Sequence, residues 1–229
     1  MNRLFVIILL ILLSEAQTVS AWTDDFSSDT LNDYYAGDIS PYSISDGVLR
    51  YIPGETASSI WYDEDVFGSG RYHWSVQQDP GELNHQNFIF GATGKCPTSG
   101  PGCPYAYYGI DDYENPINGF ILEYKDPNLG TIQLGNFYPE TYTGDYSLDV
   151  DWDITTGDIT VYLDSKPIIS ATDQHLSSPG YTGILHWGYQ KGYEIDRWSY
   201  DPNPGQITIP TPTPEPTPAL TLRADQRGT

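Results

Sequence analysis

Cations are scarce in this sequence: 10 Lys and Arg stand against 31 Asp and Glu, for a formal net charge of −21. Phosphate recognition needs concentrated positive charge, so nucleic acid is ruled out as the expected partner. The surplus carboxylates suit a hydrated surface in salty or divalent-rich surroundings and supply oxygens for Ca²⁺, although acids spread this evenly also serve solubility alone. Cysteine is rarer still, with only Cys96 and Cys103. Two thiols without a flanking His make a poor zinc site. No apolar run approaches the roughly 20 residues of a membrane-spanning helix, so no membrane span is expected in the mature chain. The sequence also lacks a Gly-x-Ser-x-Gly elbow, a phosphate or dinucleotide glycine loop, and any Asn-x-Ser/Thr acceptor, which removes nucleophilic triads, nucleotide binding and N-glycosylation at that sequon.

The longest apolar stretch is Leu4 to Leu13, preceded by Arg3 and followed by polar residues and the small triplet Val19-Ser20-Ala21. This order is that of a secretory signal peptide over residues 1–21, and it points to a secreted or cell-surface protein. In that oxidising compartment Cys96 and Cys103 are expected to pair as a local staple across a Gly/Pro loop. Beyond Pro204 the run Ile209-Pro210-Thr211-Pro212-Thr213-Pro214 removes amide donors and fixes an extended backbone. Residues 205–229 therefore read as a semi-rigid stalk and tail, a candidate tether to a surface. Residues 22–204 are left as one domain with a proper core.

That domain alternates with period two and carries no helical stripe. From Arg71 to Gln77, Tyr72, Trp74 and Val76 share one face while Arg71, His73, Ser75 and Gln77 share the other. From Leu148 to Ile154 the apolar set is Leu148, Val150, Trp152 and Ile154, opposed by Asp149, Asp151 and Asp153. Each strand buries one side and wets the other, as antiparallel sheets do. Turn signals such as Asp46-Gly47, Gly157-Asp158 and Asp164-Ser165-Lys166 separate many short strands, which implies an all-β, two-sheet antiparallel jelly-roll sandwich.

The opening Asp24-Asp25-Phe26-Ser27-Ser28-Asp29-Thr30-Leu31, then Ser45-Asp46-Gly47-Val48-Leu49-Arg50, resembles concanavalin A-like lectin/glucanase domains of the laminin-G type. Gly157 to Ile169 is similar to that family's hairpin, with Ser165 in place of the usual turn glycine, and Tyr193 to Tyr200 is similar to its closing strand. The resemblance spans most of residues 24–202. It implies two stacked sheets, one concave, with first and last strands adjacent. It also implies carbohydrate or protein ligands, with polysaccharide cleavage in a minority of members. A structural calcium ion is implied as well, on Asp24 or Asp25 with Asp196, completed by backbone and water oxygens. Asp111-Asp112-Tyr113-Glu114-Asn115 is an alternative acidic cluster, though its spacing is not that of an EF-hand loop, and all these acids also read as turn or capping residues.

Catalysis finds only fragments. Glu194-Ile195-Asp196 resembles part of the Glu-x-Asp-x-(x)-Glu strand of family 16 glycoside hydrolases, but Trp198 and Ser199 stand where the acid belongs, and hydrolysis needs both carboxylates. Arg71, His73 and Gln77 offer lyase-type chemistry, and Tyr189-Gln190-Lys191-Gly192-Tyr193 resembles a run of alginate lyases whose companion strands are absent. Sugar binding by aromatic stacking fits better, because the loop from Lys95 to Gly119 is stapled, rich in Tyr and Asp, and has no evident core role. The expected ligand-binding residues are Arg71, His73, Gln77, Tyr107, Tyr108, Tyr124 and Trp187, against a background in which most sandwich aromatics are core. The expected function is a lectin-like, non-catalytic module for a glycan or polysaccharide; a hydrolase or lyase on the same fold, and an adhesion module, are the alternatives.

Overall fold

The computed structural model describes residues 20–28, 31–36, 40–52, 58–63, 65–77, 86–97, 103–113, 119–139, 144–186 and 193–204. Residues 1–19, the stalk from residue 205, and Glu114, Tyr142, Trp187 and Tyr189 lie outside them. The described residues form strands, one 3-10 turn at Leu31–Asp33 and no α-helix.

Two antiparallel sheets face one another. The first runs β13 (Lys166–Thr172), β12 (Asp158–Leu163), β11 (Tyr146–Asp153), β6 (Gly70–Gln77), β15 (Tyr193–Asp201), β4 (Val48–Tyr51) and β3 (Tyr42–Ser45), with β1 (Trp22–Asp24) added beside β15. The second runs β10 (Gly130–Phe137), β9 (Gly119–Asp126), β8 (Tyr107–Tyr113), β7 (Gln86–Ala92), β14 (Tyr181–His186), β5 (Ser58–Tyr62) and β2 (Tyr34–Ala36). First and last strands pair, Trp22 opposite Tyr200 and Asp24 opposite Trp198. On one side of the sandwich β10 and β13 meet. On the other the edges are β3, four residues long, and β2, three.

The alternation in the sequence becomes the inter-sheet core. Tyr72, Trp74 and Val76 of β6, with Leu148, Val150 and Trp152 of β11, are buried between the sheets. Their partners come from the second sheet: Trp74 meets Phe88 at 5.4 Å between ring centroids, Tyr72 meets Phe90 at 5.5 Å, and Tyr108 stands edge-on to Trp152 at 5.6 Å. Such aromatic pairs add about 0.5–1.5 kcal/mol each beyond the area they bury.

One layer of this core is polar. Ser58, His186, Gln86 and Asp112 stand in register across β5, β14, β7 and β8 and are buried. The first sheet answers with tyrosines: Tyr42 shares a 2.9 Å hydrogen bond with Ser58, Tyr51 packs on His186 at 3.8 Å, and Tyr146 donates to Asp112 at 2.8 Å. Hydrogen bonding of this kind offsets the cost of burying these groups.

One expectation is corrected. Residues 107–113, taken with the stapled loop, are strand β8, paired with β7 and β9 in the middle of the second sheet. Its alternation is hard to see because both faces carry tyrosine and aspartate: Tyr107 and Asp111 point away from the core, while Tyr108 and Asp112 point into it.

Candidate functional site

The expected ligand residues are not brought together. Arg71, His73 and Gln77 lie on the outer side of the first sheet, half-buried, and each is engaged by an acid on a neighbouring strand. Arg71 donates to both Asp151 oxygens, at 2.6 and 2.5 Å, and lies 5.2 Å over the Tyr162 ring. Its guanidinium is held above its ordinary range first by that Asp151 bond. His73 Nδ1 is 2.8 Å from Asp149, and Gln77 donates to Asp196 at 3.1 Å. Tyr108 and Tyr124 belong to the core between the sheets. Tyr108 donates to Asp173 at 2.5 Å, and Tyr124 stacks on His175 at 4.5 Å. Burial, followed by the bond to Asp126, pushes the Tyr124 phenol up to about 12. Tyr107 faces outward from the second sheet, and Trp187 lies outside the described residues.

The three acids named for calcium do not converge. Asp24 accepts from the Phe26 amide at 2.7 Å and the Tyr34 hydroxyl at 2.8 Å, on the face shared with Trp198. Asp25 accepts from the Ser27 amide at 3.1 Å, and Asp196 faces Gln77 on the opposite side of β15. Among the described residues no three His, Cys, Asp or Glu gather as a metal site.

A different arrangement occupies the outer face of the second sheet. On β6 the outward residues are half-exposed, as an ordinary solvated face would be; on β7 every residue is buried. Trp61 of β5, Asn87 of β7, Tyr107 and Asp111 of β8, Glu123 of β9 and Leu185 of β14 all point away from the inter-sheet core and are nonetheless buried. This face is therefore recessed. Part of the cover is the stapled loop. Cys96 and Cys103 are joined, and the Cys96 carbonyl accepts from Ser59 Oγ at 2.6 Å and Trp61 Nε1 at 3.0 Å. The loop thus folds onto the sheet and closes a small second core of Trp61, Ile89, Ala92, Cys96, Tyr107 and Leu185.

Beside that wall the floor turns polar. Glu123 Oε1 receives the Asn87 amide at 2.8 Å and the Lys125 ammonium at 2.5 Å. Asp111 stands opposite Asn87 across β7 and β8, and diagonally from Glu123 across β8 and β9. Burial raises the Glu123 carboxyl above its ordinary range and Asp111 adds to the rise, while Lys125 and Asn87 oppose it. Burial, then the two nearby carboxylates, likewise raises the Tyr107 phenol. Gly109 fits beneath Asn87 because a Cβ there would lie 2.0 Å from Asn87 Oδ1. Toward β10 the surface opens: Thr131 and Gln133 stand opposite Lys125 and Glu123, and the Gln133 amide donates to Asn136 at 3.2 Å.

A cavity of about 210 Å³ adjoins Lys125, lined by Cys103, Tyr105, Tyr107, Asp126, Pro127 and Thr131 among others. Tyr105 lies flat on Gly94, where a Cβ would come within 2.5 Å of its ring, and the residue as a whole stays 38% exposed. One face of the ring is fixed by backbone and part of its surface is open to a ligand.

The chain folds as a concanavalin A-like jelly roll. Its structure is similar to a prokaryotic β-1,3-1,4-glucanase (lichenase) derived from a mouse hindgut metagenome, with TM-score 0.58 and 15% identity, covering 80% of this chain and 100% of that one. It is also similar to the Emp46p carbohydrate recognition domain in metal-free form, with TM-score 0.59 and 11% identity over 74% and 88% of the two chains. A third likeness is to carbohydrate binding module CBM66 from Bacillus subtilis, with TM-score 0.50 and 14% identity over 71% and 91%. No protein-family description and no curated protein sequence matches the chain.

Within this jelly roll the sequence pointed at Tyr107, and at Asp111 only as a metal candidate. Glu123, Lys125, Asn87, Gln133 and Asn136 went unnoticed. A signal for two of them was present: in Phe120 to Lys125, inward Phe120, Leu122 and Tyr124 force Glu123 and Lys125 onto the same outward face.

Proposed function

We propose that this jelly roll binds carbohydrate on the recessed outer face of its second sheet, along a path from the Tyr105 cavity over Lys125 and Glu123 to Gln133 and Asn136. The observation that carries the reading is the polar floor. Buried charge and amide groups away from the core are costly unless they are paired and hydrogen-bonded, and these are pre-arranged as donors and acceptors at the spacing of neighbouring strands. The Asn87 and Lys125 bonds both fall on Oε1, which leaves Glu123 Oε2 as an acceptor for a sugar hydroxyl. Tyr105 supplies the flat apolar partner that pyranose rings stack on. The structural neighbours are named for glucanase activity, carbohydrate recognition and carbohydrate binding, which agrees with a glycan ligand. The apolar leader and the Pro/Thr stalk fit display outside the cytoplasm.

This assignment differs from one on Arg71, His73 and Gln77 in resting on a recessed face, whereas those three line the half-exposed outer face of the first sheet. It includes no cation at Asp24, Asp25 and Asp196, although a potassium-bound form of the Emp46p domain is among the similar structures. The test is isothermal titration with linear β-glucan oligosaccharides. Tyr105→Ala and Asn136→Ala should each weaken binding about tenfold, the equivalent of roughly 1.4 kcal/mol, while Arg71→Ala should not. Loss of binding in Arg71→Ala with retention in the other two would move the site to the first sheet.

A second reading, hydrolysis, rests on Asp111 and Glu123. Diagonal cross-strand neighbours stand about 7 Å apart, within reach of a carboxylate pair that activates water. A carboxyl raised by burial is suited to give a proton to a leaving oxygen. Release of reducing ends from the same glucans, abolished in both Asp111→Asn and Glu123→Gln, would establish it. Retained binding without released ends would leave the binding module.

A further inference from the structure

We propose that the site takes uncharged glycans and refuses uronate or sulfated ones, because its cation is an internal counter-ion rather than an anion receptor. The inference rests on the binding reading above and adds the ligand's charge class. An anionic polysaccharide needs a cation free to meet each carboxylate or sulfate. Lys125 is the cation at the floor of this face, and its ammonium is 2.5 Å from Glu123 Oε1. Asp126 lines the cavity beside it, and Asp111 lies one strand further in.

The other described cations do not supply one: Lys166 and Arg197 are exposed on β13 and β15 of the first sheet, away from this face, and the rest are paired. Arg50 pairs with Glu194 at 2.7 Å, Arg71 with Asp151, and Lys95 with Asp63. Added to the net charge of −21, these pairings make the field at the site repulsive to anions. What the floor does offer suits hydroxyls. Asn87, fully buried, donates Nδ2 to Glu123 and so holds that carboxylate in place from within the sheet. A sugar hydroxyl can donate to a carboxylate and accept from the ammonium. A second carboxylate cannot donate, and the ammonium from which it could accept is already held by Glu123.

The experiment is titration of the full chain with laminarin and lichenan oligosaccharides, which are uncharged, against alginate and polygalacturonate oligosaccharides of equal length. Each is measured at about 20 mM and about 500 mM salt, which span long and short screening lengths. The wild type is expected to bind at least one glucan, with little salt dependence, and to bind the uronates at least about tenfold more weakly. Glu123→Gln, which releases Lys125 from its counter-ion, should strengthen uronate binding about tenfold at low salt, and Asp111→Asn should shift it the same way. Circular dichroism melts establish that both variants are folded. Uronates binding the wild type as tightly as glucans would overturn the charge selectivity and leave the binding reading standing. Binding of neither class would overturn the binding reading itself. Glucan binding with no gain of uronate affinity in either folded variant would overturn the counter-ion role of Lys125.

Discussion

Replacing Cys96 and Cys103 with serine tests whether the stapled loop is a structural wall of the recessed face. The two residues are separated by seven positions. Closing so short a loop in the unfolded chain contributes about 2.5 kcal/mol of stability by the chain-entropy relation. For a domain of this size each kcal/mol shifts the melting temperature by about 2–4 °C, so the double variant should melt about 5–10 °C lower. The shift should be larger if freeing the loop also loosens the Cys96 carbonyl from Ser59 and Trp61, because a buried indole N–H left unbonded costs roughly 1–3 kcal/mol more. Scanning calorimetry with and without reductant measures this: reductant should lower the wild-type transition to that of the variant and leave the variant unmoved. Glucan affinity should fall in parallel, since the loop also carries Tyr105. A variant that melts within about 1 °C of wild type and binds glucan equally well would show that the loop neither braces Trp61 nor walls the site.

Three further outcomes are expected. Gly109→Ala places a methyl where Asn87 Oδ1 now sits, so it should abolish most glucan binding and lower stability by about 1–3 kcal/mol, seen by titration and thermal melts. Glu123→Gln should gain stability relative to wild type as pH rises from 4.5 upward, because a carboxyl whose folded pKa is raised is disfavoured once it ionises; a relative gain on acidification instead would mean that Lys125 outweighs burial. Ser165 adopts a left-handed φ of 65° in the β12–β13 turn, so Ser165→Gly should stabilise by about 1 kcal/mol in chemical denaturation, and an unchanged midpoint would show that the turn is unstrained.

The fold was legible because strands β6 and β11 write their two faces in different chemistry, tryptophan and valine against arginine and aspartate, so period and burial agree. The pairing of the termini followed from the resemblance of Asp24 to Leu31 and Tyr193 to Tyr200 to one family. The site was less legible for a physical reason. Its strands are buried on both sides, so Phe88, Ile89 and Phe90 run together and β8 mixes tyrosine and aspartate on each face, which removes the alternation that marks a wetted surface. Polar rows on the first sheet, by contrast, stood out in the sequence because they are the solvated, ion-paired side. Tyr108 and Tyr124 were drawn in by composition, since a tyrosine at the core and one at a ligand read alike until their neighbours are known.

The meeting of β10 with β13 bears on how copies of this protein behave when crowded together. A sandwich built of strands offers backbone templates for runaway pairing wherever a long margin is left bare. Here one margin is closed by the other sheet, and the opposite one ends in strands of four and three residues, too short to seed a stable ladder. Together with mutual repulsion between strongly anionic surfaces, this keeps neighbouring copies from pairing edge to edge even at high local concentration.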